Sequence, residues 1–170
     1  YVRARARAEE VVAAVEAEGR RAVALQADAV DADAGGAAVG EAAARLGRLD
    51  VLVNNAGVFP YGPLDEVTRD ELDATLAVHV RSVFLASQAA VRHMGEGGRI
   101  VSIGSNMAAK VPYPGVSLYT MSKAALVGLT KGLAHDLADQ GITANLVAPG
   151  STDTDMNPAD GPTADDERGL

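Results

Sequence analysis

Four short apolar runs alternate with helical segments along this chain, and that alternation limits its fold more than any other feature. "AVALQAD" (22–28), "LDVLVNNAG" (49–57), "RIVSIG" (99–104) and "ITANLV" (142–147) read as strands. Ahead of the first lies a helical segment over 3–18, with Val11, Val12 and Val15 on one face and Gly19 as its stop. A second helix is expected from about residue 33 or 34 to Leu46, weakened by Gly35, Gly36 and Gly40 and ended by Gly47. A third opens at Thr68, which with Glu71 makes a capping box. It carries Leu72, Leu76, Val80 and Phe84 at i+4 spacing, and runs to Met94. A fourth runs from Ser117, read as its N-cap, to Gln140, and stops at Gly141. Helix and strand in strict alternation predict an α/β domain with a doubly wound parallel sheet, right-handed crossovers and helices on both faces. The domain is expected to span 1–158, with 159–170 a polar tail. The 48% apolar content is dominated by alanine and valine, and aromatics make up only 4%. Small side chains of this kind suit helices packed closely on a buried parallel sheet.

A net charge of −8 argues against nucleic acid and anionic membranes as partners. The absence of cysteine excludes disulfides and thiolate metal sites, no residue spacing suggests a metal, and the cytoplasm is the default compartment. No apolar run is long enough to span a bilayer.

Open parallel sheets bind ligands beyond the carboxyl ends of their strands. Asp28, the stretch Asn54 to Gly57, the pair Gly104 and Ser105, and the pair Pro149 and Gly150 all fall there. Tyr119 and Lys123 follow the Ser105 loop, four residues apart at a helix start, and so share one helix face. A free phenol has a pKa near 10, and an ammonium one turn away favours the phenolate. The pair can therefore exchange a proton with an alcohol or a carbonyl oxygen. A hydroxyl such as Ser105 can hydrogen-bond that oxygen where charge develops. No side chain supplies a hydride, so this chemistry requires a nicotinamide cofactor.

"NNAG" (54–57), "IGS" (103–105), "YTMSK" (119–123) and "APGSTDT" (148–154) occur in this order. With them the chain resembles the short-chain dehydrogenases/reductases, and is similar to bacterial 3-oxoacyl-acyl-carrier-protein reductases, from Tyr1 to about Pro158. The resemblance implies a Rossmann-like fold and a hydride transfer between a nicotinamide and a ketone or secondary alcohol. It implies Tyr119 as general acid and base, Lys123 as the cation that tunes it and binds the nicotinamide ribose, and Ser105 as the group orienting the carbonyl. Asp28 and the backbone of Ala29 would meet the adenine. Asn55, Ala56 and Gly57 would line the cofactor, Pro149, Gly150 and Thr152 would flank the nicotinamide, and Thr154 would bind its carboxamide or the phosphates. Met107, Tyr113, Met156 and Asn157 are candidates for the substrate pocket, with loop packing as the equal alternative.

The chain departs from the family pattern in three places. His79 stands where the resemblance puts an asparagine that helps hold a water in a proton relay; the carbonyl that holds the water is backbone, so histidine is tolerated there, an imidazole can itself relay protons, or the ring simply packs between helices. Ser105 lies one residue further from Tyr119 than is usual, so Asn106 competes for its role. The family's Gly-rich opening turn and its closing segments are not in these 170 residues, so the chain is expected to be a piece of a protein of roughly 250 residues, its sheet incomplete at both ends. In the family's strand order, 22–27 would then lie two positions from 49–54. At about 4.8 Å per strand, no hydrogen bond closes that gap. Arg3, just past the family's second strand, is placed to meet a 2′-phosphate, which favours NADP(H) over NAD(H); alternatively Arg3, Arg5 and Arg7 form a solvated helix start. Helices 69–94 and 118–140 resemble the pair through which this family forms homodimers or homotetramers. Two rival functions are a nucleotide-binding or sensing protein with little turnover, and an interaction scaffold.

Overall fold

The computed structural model describes residues 1–154 and 157–158. Its helices are α1 (Arg5–Ala17), α2 (Ala34–Leu46), α3 (Arg69–Leu76), α4 (Ser82–Ala90) and α5 (Ser117–Asp136). Its strands are β1 (Val51–Asn54), β2 (Arg99–Ile103) and β3 (Thr143–Val147). The strands form one parallel sheet in the order β1-β2-β3, with Val51 opposite Arg99 and Arg99 opposite Thr143. All three therefore end together, at Asn54, Ile103 and Val147, and the loops that follow them open on one edge of the sheet. The opposite end is held by apolar packing of Ile100, Leu137 and Ile142, joined by Leu52, Val91, Met94 and Leu133. The parallel sheet with flanking helices is the expected fold class. No helix among the described residues is long and apolar enough to cross a membrane.

Local structure follows the residues that carry it. Thr68 and Glu71 form the full capping box at the start of α3. Gly19, Gly47 and Gly141 take positive φ at the helix ends they terminate. α2 forms over its whole length despite its glycines because it packs on α4. A Cβ added at Gly36 would stand 3.7 Å from Ala89 Cβ, so tertiary contact outweighs weak propensity.

Four expectations need correction. "AVALQAD" is not a strand among the described residues: a strand needs a neighbour in hydrogen-bonding reach, and this run pairs with none of the three strands of the sheet. Its backbone instead meets the first residues: the Tyr1 amino group donates to Leu25 O at 2.9 Å, and Ala27 N donates to Tyr1 O at 3.0 Å. Ser117 is not the N-cap of α5; Val116 holds that position without a side-chain cap bond, because its burial fixes the turn that precedes the helix. The segment 69–94 is not one α-helix. A π-helical turn (Ala77–Arg81) separates α3 from α4, and helix ends at Ala90, after which the bonds tighten to i→i−3 at Arg92 and His93. Finally, α5 does not run on to Gln140: the α-helix ends at Asp136, and Ala138–Gln140 form a 3₁₀ turn. α2, α4 and α5 pack into the body, but α1 has no buried residue. The tail expected over 159–170 lies outside the described residues.

Candidate active site

The loops leaving the three strand ends meet α5 around a cavity of about 520 Å³. The loop after β1 contributes Asn55, Gly57, Val58 and Phe59. The end of β2 and the turn beyond it contribute Ile103 to Met107. Pro149 to Thr152, Thr154 and Asn157 come from beyond β3, and Tyr119 and Lys123 come from α5. Residues far apart in sequence converge because the parallel register places all three strand ends side by side.

Lys123 is buried and its Nζ donates to Ile103 O at 2.8 Å. Burial lowers its pKa from the ordinary lysine value. The ammonium lies 5.9 Å from the centre of the Tyr119 ring, as one turn of helix requires. Phe59 meets Tyr119 edge to face with 4.8 Å between ring centres, and so helps to hold the ring. Ser105 is buried at the start of a short 3₁₀ turn (Asn106–Ala108), where its Oγ accepts the Met107 N–H at 3.2 Å. That bond uses an oxygen lone pair and leaves the hydroxyl hydrogen to donate.

His79 sits in the π-helical turn and is 1% exposed. Its Nε2 lies 3.0 Å from Val58 N, and its Nδ1 lies 2.7 Å from Ser122 Oγ. A backbone N–H only donates, so Nε2 carries the lone pair and Nδ1 carries the hydrogen. Ser122 Oγ accepts that hydrogen and donates its own to Tyr119 O at 2.7 Å. Burial first, and then the Lys123 charge, lower the imidazole pKa to about 4, so the ring is neutral at pH 7.

The structure brings Ser105, Tyr119, Lys123, Asn55, Gly57, Pro149, Gly150, Thr152 and Thr154 to this one cavity, with Asn106, Met107 and Asn157. Ala29 and Ala56 line a smaller cavity of about 210 Å³, and Asn55 belongs to both. Asp28 lines neither. It is exposed, and its Oδ1 accepts the Val30 N–H at 3.0 Å in a tight local turn. Arg3 is exposed ahead of α1 and also lines neither. Tyr113 packs against Tyr61 rather than the cavity, and Met156 lies outside the described residues. Sequence reasoning missed Val58, Phe59 and Ser122. A phenylalanine two residues beyond "NNAG" was the available signal for Phe59; nothing marked Ser122.

Residues 1–165 match the family model of the short chain dehydrogenases. The chain belongs to the short-chain dehydrogenase/reductase family. It is 41% identical to the short chain dehydrogenase/reductase AacuN of Aspergillus aculeatus over 156 residues, which are 92% of this chain and 59% of that protein. Among solved structures, a short chain dehydrogenase from Burkholderia cenocepacia in complex with NADP is 60% identical, with a TM-score of 0.98 over 99% of this chain and 69% of the other. A blue fluorescent protein from a metagenomic library, in complex with NADPH, is 52% identical, with a TM-score of 0.94 over 96% of this chain and 67% of the other. The chain thus spans about three-fifths of the length of the curated relative described here.

Proposed function

We propose that the whole protein is an NADP(H)-dependent oxidoreductase that interconverts ketones and secondary alcohols, and that Tyr119 is its general acid and base. The observation that carries this reading is the placement of Tyr119, a buried Lys123 and the Ser105 hydroxyl on one cavity at the carboxyl ends of a parallel sheet. A nucleotide-binding module without turnover has no use for a phenol set beside a buried ammonium.

The residues fit a dinucleotide. The two cavities adjoin at Asn55, and small residues (Ala29, Ala56, Gly57) border them. A Cβ at Gly57 would stand 3.2 Å from His79 Nε2 and 3.6 Å from Lys123 Nζ, so bare backbone forms that part of the wall. Asn55, Gly57, Pro149, Gly150, Thr152 and Thr154 would hold the nicotinamide half, and Ala29 and Ala56 would lie along the adenine half. A bound reduced nicotinamide supplies the hydride that adds to the carbonyl carbon, and is left oxidised. Tyr119 gives its phenol proton to the carbonyl oxygen as the C=O pair becomes C–O, and takes it back in the reverse direction. Ser105 donates its free hydrogen to the same oxygen. Lys123, anchored on Ile103 O, retains two further N–H donors for the ribose and for the phenol's surroundings. His79 has both nitrogens engaged, and this supports a role in holding the Val58 loop against α5 rather than passing protons.

Preference for NADP(H) draws support from the complexes of the two structural relatives with NADP and NADPH. Assembly as a homodimer or homotetramer through 69–94 and 118–140 is part of the same reading; Phe84 and Met121 are exposed apolar residues on those helices.

The test is NADPH oxidation by the whole protein with ketones, compared with its Lys123→Ala variant. Turnover is expected in the wild type, with kcat and NADPH affinity falling together in the variant. A Lys123→Ala protein with both parameters unchanged would contradict the proposal.

A further inference from the structure

The chain has four tyrosines and two phenylalanines, and four of these six rings run in contact from the candidate site, where Phe59 and Tyr119 line the cavity, to Tyr61 and Tyr113 beside it. They form a continuous series. Tyr119 meets Phe59 at 4.8 Å, Phe59 lies nearly parallel to Tyr61 at 6.5 Å and 14°, and Tyr61 meets Tyr113 edge to face at 6.2 Å. One end of the series is Tyr119, which lines the cavity, and towards the other Tyr61 is 62% exposed.

The backbone around these rings is built to hold them. Gly62 N donates to Gly115 O at 3.0 Å, tying the loop after β1 to the loop before α5. Gly115 has φ +89, and a Cβ there would stand 3.0 Å from Tyr61 Cε2. Only glycine allows both that turn and the ring beside it. The same two loops expose Val58, Leu64 and Val111, so the flank around the rings is apolar.

Inside the cavity, Val58, Phe59 and Met107 provide apolar surface next to Tyr119. Among the described lining residues Lys123 is the only charged side chain, and it is buried and bound to Ile103 O. A substrate carboxylate or phosphate set beside Phe59 would lose its hydration without gaining a cation of its own. A flat apolar group set there would exchange water for ring faces and edges.

We propose that the site takes a neutral ketone, or the matching secondary alcohol, carrying an aromatic or bulky apolar group. Phe59 seats that group, and Tyr61, stacked on Phe59 outside the cavity, backs it. This rests on the carbonyl–alcohol reading above and narrows it to a substrate class.

The experiment measures kcat/KM of the whole protein with NADPH for three ketones: acetophenone, butanone and the anionic 4-oxopentanoate. Acetophenone is expected to exceed each of the others by at least about 10-fold. Phe59→Ala is expected to lower kcat/KM for acetophenone at least about 5-fold more than for butanone, chiefly through KM. Equal efficiency on all three, a preference for 4-oxopentanoate, or an equal loss on acetophenone and butanone in Phe59→Ala would overturn the substrate class and leave ketone reduction standing. A whole protein that binds NADPH and reduces none of the three would overturn both.

Discussion

His79 Nδ1 stands 2.7 Å from Ser122 Oγ, so the π-helical turn is tied to the helix that carries Tyr119 and Lys123. The other nitrogen receives the Val58 N–H, and one ring thus joins three segments of the site. A ring that donates at Nδ1 and accepts at Nε2 has no site left for a moving proton. His79→Asn in the whole protein should therefore keep kcat within about 100-fold of wild type, a barrier difference below about 2.7 kcal/mol. A larger loss would show that the imidazole itself takes part in proton transfer. Nitrogen-15 spectra of the histidine ring should show a protonated Nδ1 and a bare Nε2 at pH 7, and the reverse tautomer would contradict the geometry.

Gly57 faces the same ring. A Cβ there would lie 3.2 Å from His79 Nε2, closer than side chains normally approach, and His79 cannot move without losing a bond. Gly57→Ala should destabilise the fold by about 1–3 kcal/mol and weaken NADPH binding. Denaturant unfolding and cofactor titration measure the two effects. An unchanged midpoint with unchanged affinity would mean that the loop has room the structure does not show.

Acid should weaken the fold through His79. Burial and the nearby Lys123 charge hold its pKa at about 4, against 6.5 for a free ring. A depressed value in the folded state gives a contribution to stability that is complete above about 6.5 and is lost as pH falls through about 4. The Tm should fall across that window, and His79→Asn should fall less steeply over the same range. Parallel curves for the two proteins would contradict a buried neutral imidazole.

Much of this site was legible because its chemistry is written in short local patterns. Tyr119 and Lys123 share a face by helix geometry alone, and alternating strands and helices place Ser105, Asn55 and Gly150 at one sheet edge. The capping box at Thr68 and the glycine stops are likewise local, and they appear as expected. What escaped depends on contacts across the fold. The π-helical turn arises inside a run with regular i+4 spacing, and no residue in it marks the change. The bonds from His79 to Val58 and Ser122 span 21 and 43 residues. Asp28 ends an apolar run as a ligand residue would, yet its carboxylate is taken up by the Val30 N–H two residues on. The run before it looked like a strand because strand patterning reports burial and β-propensity, not the presence of a partner.

The central claim is that the Tyr119 phenol carries the proton, and the measurement that bears on it most directly is the Tyr119→Phe variant of the whole protein. The phenylalanine ring keeps the packing against Phe59 and His79, and only the hydroxyl is lost. Ketone reduction by NADPH should fall by at least about 10²–10⁴ in kcat, the usual worth of general acid catalysis, with the NADPH dissociation constant nearly unchanged. A Tyr119→Phe protein with near-normal kcat would contradict the account and leave Tyr119 as a packing aromatic beside a buried lysine.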